Sequence, residues 1–260
     1  MSSDGLVAFR RWGLRIGEVY FDAAAADGSD GERVDLVRIL STFSPPSHRG
    51  FRQRHTLVIG LAEDEDELLA QVSKDTRSKI RRAADRDPVE VAGDANPSPA
   101  EVSAFADFYD RFAEGASVAP VFRPRLHALA ERGKLVLTRA FDTSGEVLVR
   151  HAYVAAAGRG YMLYSGSLLA ESGDSSARNL IGRANRYLHW EDIRLFKSRG
   201  FELYDFGGLD VEERSPKTAG IARFKRGFGG EVRAVYSLTR PGSLRGAAVH
   251  RVLSLRGVDF

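Results

Sequence analysis

The chain of 260 residues contains no cysteine, which excludes disulfide scaffolds, thiol nucleophiles, thiolate zinc sites and iron–sulfur clusters and fits a reducing compartment. No apolar run approaches the ~18 residues of a membrane helix, and residues 1–30 hold no signal-peptide core. The sequence therefore reads as a soluble, cytoplasmic protein. A strong excess of one charge is also missing: the formal net charge is +3, with 28% charged and 43% hydrophobic residues, an ordinary globular balance. Several enzyme signatures are absent as well. There is no G-x-S-x-G elbow, Walker A loop, H-E-x-x-H or G-x-G-x-x-G after a strand. His48, His55, His127, His151, His189 and His250 show no metal-ligand spacing, so no metal is expected. A hydrolase triad, a nucleotide-triphosphate engine and a zinc enzyme are all disfavoured.

What is present alternates between extended and helical patterns. Leu14 to Phe21 and Val34 to Ser41 read as strands around a small-residue loop at Ala23 to Gly31, and Thr56 to Leu61 reads as a buried strand. A helix is expected from Asp64, with Glu67 completing its capping box, to the boundary at Pro88. Lys74, Arg77 and Arg81 line one of its faces, with Lys79 and Arg82 nearby. Ser98-Pro99-Ala100-Glu101 starts another helix. Lys134 to Phe141, Glu146 to Ala156 and Tyr161 to Ser167 predict an antiparallel meander. A loop at Glu171 to Ser176, a helix from about Ala177 to Arg199 ended by Gly200, and strands Phe201 to Phe206 and Glu231 to Leu238 complete the pattern. The order predicts a mixed α/β fold with a largely antiparallel sheet flanked by helices.

Three ordered blocks carry a resemblance. Thr56 to Arg82 (TLVIGLAEDEDELLAQVSKDTRSKIRR), Ile193 to Gly208 (IRLFKSRGFELYDFGG) and Gly220 to Val232 (GIARFKRGFGGEV) resemble Fem-type aminoacyltransferases, members of the GNAT superfamily of N-acyltransferases. The resemblance implies a GNAT-like module over residues 56–240, beside a diverged N-terminal portion 1–55 and a basic tail 241–260. A full Fem enzyme carries two such modules, whereas this chain has room for one. The implied activity is acyl transfer to an amine of a small molecule or peptide, such as a cell-wall precursor or secondary metabolite. Charged tRNA is the favoured donor, acyl-coenzyme A the alternative, and a noncatalytic tRNA- or ligand-binding relic of the fold the second alternative. No permanently bound cofactor is expected.

The resemblance places Lys225, preceded by Phe224, beside the reacting carbonyl, where a cation would stabilise the tetrahedral oxyanion. Asp205 is a candidate to orient or deprotonate the amine, or else to cap a turn, and Gly207 and Gly208 allow close backbone approach. Arg178, Asn179, Gly182 and Arg183 stand where a GNAT helix N-terminus grips pyrophosphate, though with one glycine and a leading Asn the loop is degenerate. Gly229 and Gly230 are assigned to the donor side. Lys74, Arg77 and Arg81 are candidates for tRNA or diphosphate contacts, against a solvated face. Tyr164 is either a pocket wall or core. His189-Trp190 reads as packing.

Overall fold

A computed structural model describes residues 5–22, 33–46, 50–168 and 174–255. The loop expected at Ala23 to Gly31, His48 and the first half of the loop at Glu171 to Ser176 lie outside them. The chain divides into two compact units, residues 1–55 with 233–260, and residues 56–232. The last expected strand and the tail thus cluster with the N-terminal residues, and the expected limit at 240 does not coincide with this division.

The first unit holds a four-strand array in the order β1 (Val7–Arg11), β2 (Leu14–Tyr20), β3 (Leu36–Thr42) and β10 (Glu231–Pro241, from residue 233). β1 and β2 form a tight hairpin, β2 and β3 run parallel, and β10 is antiparallel to β3. Helix α7 (Leu244–Leu255) follows. Leu6, Val19, Val34, Val37, Ile39 and Leu238 form its core.

The second unit orders its strands as β4 (Arg52–Gly60, from residue 56), β9 (Leu203–Leu209), β8 (Arg159–Ser167), β7 (Val147–Ala156), β6 (Leu135–Asp142) and β5 (Val89–Asp94). β5 through β8 form an antiparallel meander, while β8 and β9 pair in parallel. Helix α5 (Ser175–Ser198) packs over Leu57, Tyr153, Tyr204 and Phe206 through Trp190, Ile193 and Phe196. Helices α3 (Pro99–Ala116) and α4 (Arg123–Glu131) complete the module. No helix among the described residues is long and apolar enough to cross a membrane.

The single helix expected from Asp64 to Pro88 is two. Asp64 and Glu67 cap α1 (Glu65–Gln71) reciprocally, but Val72 is extended. Ser73 then starts α2 (Lys74–Asp85) by accepting from the Thr76 amide. The break is fixed by a distant partner, because the Ser73 amide donates to the carbonyl of Gly227. The expected glycine stop of α5 is present, with Gly200 at φ +75°, a conformation that suits glycine. An unforeseen helix, α6 (Pro216–Arg226), carries the Phe224-Lys225 pair. Ser215 and Thr218 cap α6 reciprocally and Pro216 opens it, because proline gives up no helical hydrogen bond in the first turn.

Candidate active site

The parallel ladder between β8 and β9 covers only Arg159↔Leu203, Gly160↔Tyr204 and Tyr161↔Asp205, although both strands run on. Parallel strand ends of this kind are where α/β folds place ligands. At this end Asp205 is wholly buried. It accepts from Arg159 Nε (2.6 Å), Arg159 Nη2, Thr56 Oγ1 and the Gly207 amide (2.7 Å). A carboxylate with that many donors and no exposure is a structural anchor. The geometry therefore replaces the expected base role of Asp205 with a positioning one. Gly207 sits at φ +70°, and a Cβ there would lie 2.8 Å from the Met162 carbonyl oxygen, so only glycine fits. Gly208 faces open space.

Lys225 reaches this strand end from α6. Its Nζ donates to the carbonyls of Phe206 (2.8 Å), Gly207 (3.3 Å) and Gly208 (2.7 Å). Burial pushes the ammonium down to about 8, against a smaller opposing pull from the Asp205 charge. A cation so placed is mostly protonated at neutral pH and has a proton on each of three bonds. The bond to Gly208 is solvent-exposed, so that proton can turn from the Gly208 carbonyl to an incoming anion.

The other expected residues distribute unevenly. Phe224 packs beside this lysine, its ring 5.3 Å from His189 and 5.6 Å from Phe228. Arg178, Asn179, Gly182 and Arg183 do not form a helix N-terminus: α5 starts earlier, capped by Asp174, whose side chain accepts from the Ala177 amide at 3.1 Å. Gly182 lies two turns inside the helix, and Arg183 is committed to Asp87 at 2.5 and 3.0 Å. The cation that does approach Phe224 is Arg186, one turn further on. Its guanidinium carbon lies 4.8 Å from the Phe224 ring centroid and its Nη1 bonds the Gly182 carbonyl, while its Nε is buried without a partner. Sequence reasoning missed Arg186; its four-residue spacing from Gly182 was the available signal.

Gly229 and Gly230 have a packing role rather than the expected donor role. Both have φ near +80°, and a Cβ on Gly230 would fall 2.3 Å from the Val58 carbonyl oxygen, one on Gly229 3.0 Å from that of Gln71. Tyr164 is half-buried against Tyr109 and Phe105 (4.9 and 6.3 Å), which places it in the core beneath α3. Lys74, Arg77 and Arg81 do share α2, Lys74 and Arg81 exposed, and none of the three enters an ion pair among the described residues. An open cleft of about 610 Å³ lies elsewhere, lined by Asp107, Phe108, Arg111 and Arg150 among others, and has no residue in common with the Lys225 site.

Behind β9 lies a buried polar network that the sequence did not disclose. His151 Nδ1 is 2.7 Å from Asp192 Oδ2, and His151 Nε2 is 3.0 Å from Asn185 Oδ1. The Tyr153 hydroxyl donates to Asp192 (2.6 Å) and lies 2.8 Å from that of Tyr204, itself 2.7 Å from His189 Nδ1. Burial, then the Asp192 charge, pushes both tyrosines well above their ordinary value, and burial pushes His189 well below its own. Thus His189 does more than pack, while Trp190 joins the apolar core. His151, His189 and Asp192 bring ligand-type atoms within 4.8 Å of one another, but Asp192 is already bonded to His151 and Tyr153. This is the geometry of a self-satisfied network.

These features define the fold, a mixed and largely antiparallel α/β sheet flanked by helices, and several solved structures share it. FemX superposes with a TM-score of 0.61 over 95% of this chain and 85% of its own, at 14% identity. A C-terminal domain from Agrobacterium fabrum described as that of a lysylphosphatidylglycerol synthetase gives 0.54 over 95% and 84%, at 12% identity. L-PGS from Bacillus licheniformis gives 0.50 over 94% and 82%, at 12% identity. No protein-family model and no curated protein sequence matches the chain.

Proposed function

We propose that the chain is an acyltransferase that moves an aminoacyl group from charged tRNA to an amine of a small molecule or peptide, forming an amide. The observation that carries this reading is the half-buried Lys225 ammonium at the parted end of β9, held by three main-chain carbonyls. As the amine attacks the ester carbonyl, a C–N bond forms and the carbonyl oxygen becomes an oxyanion. Lys225 turns the proton shared with Gly208 toward it, and a fixed donor of this kind lowers the barrier by about 3 to 4 kcal/mol. Collapse expels the ribose oxygen. The amine loses one proton and the ribose oxygen gains one, so the reaction is proton-neutral and does not require Asp205 as a base.

The start of α5 supports tRNA over acyl-coenzyme A. A coenzyme A enzyme presents bare helix-terminal amides to a pyrophosphate, whereas here the Asp174 carboxylate already caps that end and the backbone bonds it accepts hold it below the usual carboxylate range. Phosphates of a tRNA find Lys74, Arg77 and Arg81 on α2 and Arg186 beside Phe224. The test supplies the purified protein and candidate amines with charged tRNA pools or acyl-coenzyme A, with and without ribonuclease, and reads the products by mass spectrometry. A ribonuclease-sensitive, base-stable product supports the reading. Product from acyl-coenzyme A alone installs the alternative donor, a base-labile product shows a hydroxyl acceptor, and tRNA binding without any product indicates the noncatalytic relic.

A further inference from the structure

Arginines drawn into the second unit mostly find a carboxylate: Arg159 pairs with Asp205, Arg183 with Asp87, and Arg123 with Asp107 and Asp110. Arg150 does not. It stands half-buried on β7, and its guanidinium makes no ion pair or hydrogen bond among the described residues, with Nε buried. Directly across the β6–β7 ladder is Arg139, and like charges in that relation disfavour the fold. Burial, then the Arg139 charge, push the guanidinium below its ordinary value, against a smaller opposing pull from Glu101. A cation retained against such surroundings is complementary to an anion that arrives from outside. Arg150 lines the cleft of about 610 Å³ beside α3, a size at which small molecules bind. The Phe108 ring centroid lies 5.8 Å from the Arg150 guanidinium carbon and 5.9 Å from that of Arg111, distances at which a ring attracts a cation. Val147 and Leu168 add apolar wall. With Arg123 committed to its aspartates, the charges lining the cleft that have no ion pair among the described residues are Arg111 and Arg150, against Glu114 and Glu146.

We infer that this cleft is a second ligand site, which takes the zwitterion of an apolar amino acid or of a short apolar peptide. The ligand's carboxylate lies on the Arg111 and Arg150 forks, its ammonium faces Glu114 and Glu146, and its side chain rests on Phe108, Val147 and Leu168. Guanidinium forks match carboxylate oxygens in pairs. The two glutamates select a zwitterion over phosphate, whose greater negative charge they repel. The cleft shares no residue with the Lys225 site, so the inference goes beyond the proposed function and stands or falls without it.

The test titrates the whole protein by calorimetry with L-leucine and with leucyl-leucine, and follows the unfolding midpoint, which a ligand of the folded state raises. Saturable binding is expected, and the tighter of the two tells the free amino acid from the peptide. Leucinamide, which lacks the carboxylate, should not bind. N-acetylleucine, which lacks the ammonium, should bind about tenfold more weakly than leucine. Arg150→Met removes an unpaired cation, so without ligand it should be at least as stable as the parent, yet it should lose the ligand-induced shift. Arg111→Ala, at an exposed position, should weaken binding about tenfold at unchanged stability. Lys225→Met should bind leucine as the parent does. No saturable signal with either zwitterion up to about 10 mM overturns the inference. So does leucinamide binding as tight as that of leucine, or inorganic phosphate binding tighter than leucine, which would make this a plain anion site. Loss of leucine binding in Lys225→Met overturns it by moving the site to the end of β9. A destabilised Arg150→Met that binds leucine unchanged overturns it by leaving Arg150 a packing role alone.

Discussion

Lys225→Met should separate what this residue does for chemistry from what it does to the fold. Burial lowers the ammonium from 10.5 to about 8, a gap of some two and a half units, or about 3 kcal/mol held against the charged form. Below pH 8 both the folded and unfolded chains carry the proton, and the fold bears that whole penalty. Between about pH 8 and 10.5 the folded chain has released the proton while the unfolded chain keeps it, so the parent gains stability as pH rises. Methionine has no such slope. The parent-minus-variant difference from urea unfolding should therefore grow by about 3 kcal/mol in the parent's favour between pH 7 and 10.5. At pH 7 the variant loses three hydrogen bonds but also a buried cation, so it should be nearly as stable as the parent. Its turnover should nonetheless drop by about two orders of magnitude or more, the loss expected for an oxyanion donor. Parallel stability curves would refute the burial argument, and undiminished turnover would refute the catalytic one.

Two further substitutions probe the surroundings. Arg186→Ala removes the cation over Phe224 without breaking an ion pair, and should raise the donor KM about tenfold with kcat little changed, a loss of uniform binding. Asp205→Ala removes the carboxylate that pairs with the buried Arg159, and should cost about 3 to 5 kcal/mol in urea unfolding, largely recovered when Arg159→Met is added; loss of turnover in Asp205→Asn at unchanged stability would instead return a base to that position.

The local signals read from the sequence are those whose partners are close in the chain. Asp64 with Glu67, Ser98 with Glu101 and Gly200 after a helical stripe each complete a cap within a few residues, and the meander follows from alternation and short turns. What was not legible depends on distant partners. The break at Ser73 needs the Gly227 carbonyl. The role of Asp205 needs Arg159, 46 residues away, and Thr56, 149 away. Arg183 looked available for phosphate because Asp87, 96 residues earlier, pairs with it only in the fold. The helix under Lys225 is a different failure. Ser215-Pro216 repeats the start signal of Ser98-Pro99, but Thr218 stands where Glu101 completes the earlier signal.

Two buried polar systems grip β9 from successive residues, and this bears on the role proposed for Lys225. Tyr204 is tied through its hydroxyl to Tyr153 and His189, and Asp205 to Arg159, Thr56 and the Gly207 amide. Their side chains alternate across the sheet, as strand geometry demands, so both faces of the strand are fixed just before the carbonyls of Phe206, Gly207 and Gly208. On the other side, α6 is held by the Gly227 carbonyl to Ser73 and by the close passage of Gly230 over Val58. Oxyanion stabilisation depends on dipoles that do not reorganise as charge develops. Here the ammonium and the carbonyls that aim it belong to separately anchored elements, so in the proposed reaction the oxyanion would meet a donor whose position was set by folding. A side chain at Gly230 would push α6 away from β9, misaiming Lys225 without touching it.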